Sequence, residues 1–187
     1  MSMSILHKAI EALKKGKSIL YPTDTVWGLG CDATNFDAVA AIYKIKQREE
    51  SKSLIVLVSS IEMLLDYVSS VPEKALEVLF ESNRPTTIVY RNPKHLSANC
   101  IASDNTIAIR IVQDEFCKQL IDEFGKPIVS TSANSSGKAT PKSFSEISTT
   151  ILESVDYIVN LQQDKIAETS SRILRITESN EVEVIRE

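Results

Sequence analysis

Two histidines and three cysteines are too few, and too scattered, for much of the chemistry that such side chains perform. His7 and His95 stand alone, and Cys31, Cys100 and Cys117 are odd in number and far apart. That pattern excludes a disulfide framework and a cysteine or histidine metal cluster. It points to a reduced, cytoplasmic compartment, and no metal ligands are expected. No GxxxxGK[ST] and no GxGxxG occurs, since Gly28-x-Gly30 lacks the third glycine. No GxSxG elbow is present, and neither histidine is placed to activate Ser130 or Ser132, which argues against a hydrolase triad. Apolar runs such as Leu54 to Val58 are too short to span a membrane. The N-terminus has no cationic stretch leading into an apolar core, so no signal peptide is expected. A formal net charge of -4 gives no overall electrostatic drive toward nucleic acid.

What is present is an ordinary globular composition, 43% hydrophobic and 25% charged, in 187 residues. That suits one domain, or one with a small appendage, and a substantial core. The segmentation alternates strands and helices. Residues 4–15 repeat apolar side chains at helical spacing and stop at Gly16. Strands are expected at Ile19 to Tyr21, Ser53 to Val58, Thr86 to Tyr90, Thr106 to Val112 and Ile128 to Thr131. Tyr157 to Val159, Arg172 to Ile176 and Glu181 to Ile185 close the chain as strands, the last two as a hairpin. Helices are expected at Ala38 to Gln47 capped by Asn35 or Asp37, at Ile61 to Tyr67, at Pro72 to Ser82 and at Glu115 to Phe124. A further one is expected at Phe144 to Leu152, with Ser143 and Glu146 as a capping box. The fold class is α/β, one domain with a mixed sheet flanked by helices.

Two polar stretches interrupt this pattern. Ser18 to Lys52 runs from a strand into Thr23-Asp24-Thr25, then a Gly-flanked turn at Gly28-Leu29-Gly30. A helix follows and ends in Lys44, Lys46 and Arg48. Hydroxyls, turn amides and helix-borne cations form an anion pocket if they converge; a solvated basic helix end fits the same residues. Ser130 to Gly137, STSANSSG, places four serines, a threonine and an asparagine after a buried strand. Such a loop can hold phosphate without net charge, or be a polar surface turn.

Taken together these stretches resemble the YrdC/TsaC/Sua5 family of threonylcarbamoyl-AMP synthases. Tyr21-Pro22-Thr23-Asp24-Thr25-Val26-Trp27-Gly28-Leu29-Gly30 is similar to that family's YPTET-x-YGLG. Lys46-Gln47-Arg48 matches its KxR, and Thr131-Ser132-Ala133-Asn134-Ser135-Ser136-Gly137 its TSANxSG. The motifs fall in order over nearly the whole chain.

The resemblance implies an enzyme that condenses L-threonine, bicarbonate and ATP, the last with Mg2+, into threonylcarbamoyl-adenylate plus pyrophosphate. Downstream transferase proteins pass the group to tRNA. The resemblance implies a single YrdC-like domain over 1–187, without the additional C-terminal domain of longer members, and substrates on the concave face of its twisted, open sheet. Lys46 and Arg48 are the implied catalytic cations. Thr25, Arg110, Ser130 and Ser171 are implied to hold threonine, and Arg48, Lys52, Ser132, Asn134 and Arg186 the nucleotide. The sequence departs from the pattern at Glu49 to Leu54, where P-x-x-x-P-L is usual, and at Asn83 to Thr87 in place of PGPxT. It departs again at Val112, where a proline is usual, and at Arg172-Ile173 in place of TV. These departures leave open, as an alternative, a divergent, non-catalytic nucleotide-binding paralogue of the YciO type. A double-stranded RNA or tRNA-binding module is the remaining alternative.

Overall fold

The computed structural model describes residues 3–48, 54–167 and 170–187. Helix α1 (Met3–Lys14) leads into β1 (Ile19–Tyr21), β2 (Gly28–Asp32) and α2 (Phe36–Lys46). Then come β3 (Ile55–Val58), α3 (Ile61–Tyr67), α4 (Glu73–Glu81), β4 (Thr86–Arg91), β5 (Thr106–Ile111), α5 (Glu115–Phe124) and β6 (Ile128–Ser132). The chain closes with α6 (Thr149–Ser154), β7 (Tyr157–Ile158), β8 (Arg172–Ile176) and β9 (Val182–Arg186). The nine strands form one mixed sheet in the order β7-β1-β2-β6-β3-β5-β4-β8-β9. β1/β7, β3/β5 and β4/β8 are parallel pairs, and the remaining neighbours are antiparallel.

Alternation along each strand gives the sheet two chemically different faces. Leu29, Val56, Val58, Ile88, Tyr90, Ile107, Ile109 and Val129 share one core with Val39, Ile42 and Tyr43 of α2, Leu64 of α3 and Ala75 of α4. On the opposite face, Ile19, Tyr21, Leu57 and Ile128 pack under α1 and α5. α5 buries Phe116, Cys117, Leu120, Ile121 and Phe124 there, each large side chain contributing about 1.5–3 kcal/mol. α1 and α5 cover only part of this face. Where their cover stops, β3, β5, β4 and β8 present Ile55, Ala108, Arg110, Val89 and Ile173 to an open cleft.

Three expectations change. Gly28-Leu29-Gly30 is no turn; it opens β2, a fully buried strand paired to β1 and β6 on its two sides. Its amides are committed to the ladder and are not available to an anion. The glycines answer to close packing. A Cβ on Gly30 would come 2.2 Å from the Val129 carbonyl oxygen and 2.9 Å from the Tyr21 ring, and one on Gly28 would come 3.0 Å from Ser130 Oγ.

The helix expected at Phe144 to Leu152 is broken. A 3-10 turn at Phe144–Glu146 ends at Ile147, and α6 starts afresh with Ser148 accepting from the Ile151 amide at 3.4 Å. Ser143 makes no capping bond, while Glu146 accepts from the Lys142 amide. Pro72 precedes α4 as its N-cap and offers its carbonyl to Ala75 and Leu76. At α2, Asn35 is the cap and Asp37 sits inside the first turn.

Candidate active site

The cleft has a volume of about 520 Å³. Between Thr106 and Arg110 it runs about 13 Å along β5, at strand rise per residue. Its floor is the face of the strands turned away from the α2, α3 and α4 core, a mixture of apolar and polar side chains, and its rim is loop. Thr25 and Val26 enter from the β1–β2 connection, Arg48 from beyond α2, Ser130 to Ser132 from β6, and Ser171, Arg175 and Arg186 from the β8–β9 hairpin. Four guanidinium groups line it (Arg48, Arg110, Arg175, Arg186), against one carboxylate, Asp104, among the described residues. An acidic protein has thus gathered positive charge in one concave site, where low-dielectric walls strengthen its pull on anions.

Arg110 is the deepest of these cations, with its side chain 4% exposed. Its Nη2 lies 3.0 Å from Asp24 Oδ1, and that carboxylate is 6% exposed. Asp24 Oδ2 accepts from the Gln113 amide at 3.2 Å. Thr25 is oriented by its own loop. Its amide donates to Thr23 Oγ1 at 3.1 Å, and the two hydroxyls lie 3.0 Å apart. Ser171 is buried, with its hydroxyl 2.9 Å from Thr87 Oγ1. Arg186 grips the same residue, donating from Nη2 to the Ser171 carbonyl at 2.7 Å. Burial and the positive charge of nearby Arg110 both lower the Arg186 pKa, burial more so. Mutual repulsion among these guanidiniums favours an anion between them.

The Lys46-Gln47-Arg48 stretch splits. Lys46 lies in the last turn of α2, 1% exposed, and its Nζ donates to the carbonyls of Ser132 at 2.6 Å and Asn134 at 2.7 Å. Its own carbonyl accepts from the Ser136 amide at 2.8 Å. Lys46 is a clamp on the loop after β6 and does not line the cleft. Burial, then the neighbouring Arg48 charge, lowers its pKa to about 8. Gln47 then ends the helix in the left-handed region at φ 51, which turns the chain so that Arg48 reaches the cleft rim. Of the expected pair, Arg48 thus stands on the cleft wall and Lys46 behind it, on the loop after β6.

Asn134 is half-buried and turned onto its own loop. It accepts from Ser132 Oγ and donates from Nδ2 to the Lys138 carbonyl at 2.7 Å, so it shapes the loop and leaves Ser132 on the cleft wall. Of the expected site residues, Thr25, Arg48, Arg110, Ser130, Ser132, Ser171 and Arg186 come together, Lys46 and Asn134 stand behind them, and Lys52 lies outside the described residues.

Sequence reasoning missed Asp24 as the partner of Arg110, although an acid embedded in a threonine pair next to a glycine-rich strand was a visible signal. It also missed Arg175 and Asp104. The alternation that placed Arg110 on one face of β5 places Arg175 on the same face of β8, through the Val89 pairings.

No helix among the described residues is long and apolar enough to cross a membrane. A family model for the Sua5/YciO/YrdC domain, described as telomere recombination, matches residues 11–187. The threonylcarbamoyl-AMP synthase of Pseudoalteromonas translucida is 38% identical over 161 residues, 84% of this chain and 86% of that protein. The threonylcarbamoyl-AMP synthase of Bacillus subtilis is 38% identical over 136 residues, 72% of this chain and 39% of that protein. Among solved structures, P. abyssi Sua5 complexed with L-threonine matches with a TM-score of 0.85 and 27% identity, covering 97% of this chain and 53% of that one. This chain thus spans about half the length of that structure. E. coli YciO shares the fold at a TM-score of 0.86 and 22% identity, over 100% of this chain and 90% of that one. The protein belongs to the Sua5/YciO/YrdC family.

Proposed function

We propose that this chain is a threonylcarbamoyl-AMP synthase acting in tRNA modification. The observation that carries this reading is the gathering of Arg48, Arg110 and Arg186 with Thr25, Ser130, Ser132 and Ser171 on one cleft. The amine of threonine adds to the carbon of bicarbonate and water leaves, giving a carbamate. A carbamate oxygen then attacks the α-phosphorus of ATP, the bond to the β,γ-pyrophosphate breaks, and threonylcarbamoyl-AMP remains. Both steps are served by fixed donors and charge more than by proton transfer, which suits a cleft whose described lining holds no histidine or cysteine.

In this reading the Arg110 guanidinium and Thr25 hold the carboxylate end of threonine, with Ser130 and Ser171 beside them. Arg48, Ser132 and Arg186 meet the nucleotide phosphates, and Arg48 stabilises the charge that grows as pyrophosphate leaves. Lys46 and Asn134 contribute by holding the Ser132 loop in shape. Magnesium comes in as part of the Mg-ATP substrate. Among the described residues no three histidine, cysteine or carboxylate side chains converge to hold a metal, and no step is assigned to the ion. Downstream transferases and tRNA receive the product.

The experiment is pyrophosphate release from Mg-ATP, with threonine and bicarbonate each omitted in turn. Release that needs both supports the synthase. ATP binding without release would transfer the reading to a nucleotide-binding paralogue.

A further inference from the structure

Asp24 is a buried charge at the cleft floor for which the proposed reaction has no use. Its side chain is 6% exposed, and it is not among the residues that line the cleft. It joins two connections, the loop between β1 and β2 that carries it and the segment between β5 and α5, through the Gln113 amide. Its 3.0 Å contact with Arg110 matches charge to charge but falls off the angle of a proper hydrogen bond. Arg110 Nε, also buried, has no hydrogen-bond partner among the described residues. A buried guanidinium held by a carboxylate at one nitrogen, with another N–H unspent, is set up for a second acceptor.

We infer that Asp24 is a positioning residue of this site: its carboxylate fixes the Arg110 guanidinium so that the unspent edge faces the carboxylate group of a bound amino acid. This rests on the threonine-binding reading above. Direct contact between Asp24 and the ligand's carboxylate is disfavoured, because the two would repel each other, and Asp24 does not line the cleft. Simple neutralisation of Arg110 is the competing role, and it has the opposite sign. If Asp24 only cancelled charge, removing it would strengthen the attraction of Arg110 for an anion. If Asp24 orients the fork, removing it weakens binding.

The test uses Asp24→Asn, which keeps the shape and drops the charge, and Asp24→Glu, which keeps the charge and displaces it by one methylene. Threonine affinity is measured by calorimetry, and KM for threonine and for ATP by pyrophosphate release, with thermal unfolding as the folding control. Asp24→Asn is expected to raise the threonine KM roughly tenfold to a hundredfold, the scale of a small misplacement of a reacting group. The ATP KM stays at its wild-type value. Asp24→Glu, whose retained charge preserves the fold if Asn does not, shifts the threonine KM by less and leaves the ATP KM unmoved. Unchanged or tighter threonine binding in a folded variant would overturn the inference, as would an equal loss for both substrates. A wild-type chain that binds no threonine overturns both this inference and the reading it rests on, whereas normal wild-type binding that Asp24→Asn leaves intact overturns the inference alone.

Discussion

Lys46, at the end of α2, and Arg110, in β5, are both buried cations, yet their surroundings give them different work. The Lys46 ammonium donates two of its three N–H bonds to neutral carbonyls, those of Ser132 and Asn134 at 2.6 and 2.7 Å, and is buried between α2 and the loop after β6. Arg110 is matched by a carboxylate and lines the cleft with an unspent Nε. A cation whose hydrogen bonds are used by backbone carbonyls holds structure. A cation that is charge-matched but short of acceptors is held ready for a ligand. Charge and sequence motif do not separate these two cases; the partners do.

The comparison breaks most sharply at Arg110. Arg110→Ala strands Asp24 as an unpaired buried charge, so it should cost about 3–5 kcal/mol in stability. Threonine-dependent pyrophosphate release should be abolished. Urea unfolding and turnover measured together check both effects. Should stability hold while turnover is lost, the ion pair matters less to the fold than its burial suggests.

Next in size is Lys46→Met, which keeps the stem and removes the ammonium. It leaves the Ser132 and Asn134 carbonyls without their donor, a loss of about 1–3 kcal/mol. The loop carrying Ser132 loosens, so the ATP KM should rise while threonine affinity, measured by calorimetry, holds. A parallel loss of both affinities would merge the two roles separated here.

Gly30→Ala sharpens the structural side. Its Cβ would sit 2.2 Å from the Val129 carbonyl, so β2 or β6 must shift at a cost of about 1–3 kcal/mol. Gly28→Ala meets only the Ser130 hydroxyl and nearby side chains. It should act on substrate KM more than on the unfolding midpoint.

The smallest effect is on pH. Lys46 loses its proton as pH rises through about 8, because burial lowers its pKa from 10.5. Below that pH the clamp is charged; above it the two contacts lose their charge assistance. Turnover should therefore fall on the alkaline side of about pH 8, and in Lys46→Met the remaining activity should lack that limb.

Much of the architecture was legible in the sequence. Continuous apolar runs such as Val56 to Val58 gave strands, and the alternation of Ile107, Ile109 and Ile111 with Ala108 and Arg110 gave β5 its two faces. The turn residues before Glu181 gave the closing hairpin. β2 was hidden because Gly28 and Gly30 carry the composition of a turn. Only packing against Tyr21 and Val129, remote in sequence, explains why a strand needs glycines there. The break at Ile147 was hidden too, since Ser143 and Ser148 both look like caps and only Ser148 accepts from an amide.

For the site, motif order brought Thr25, Arg48, Arg110, Ser130, Ser132, Ser171 and Arg186 to one cleft. The inward turn of Lys46 was not legible, because its acceptors are backbone carbonyls 86 and 88 residues away, and carbonyls leave no mark in a sequence.

The most direct test of the difference between the two cations is a crystal structure of the wild-type chain with Mg-ATP and L-threonine. The account predicts the Arg110 guanidinium at about 3 Å from the threonine carboxylate, with Lys46 Nζ still on the Ser132 and Asn134 carbonyls. Lys46 released from that loop and bonded to phosphate, or threonine bound away from Arg110, would contradict it.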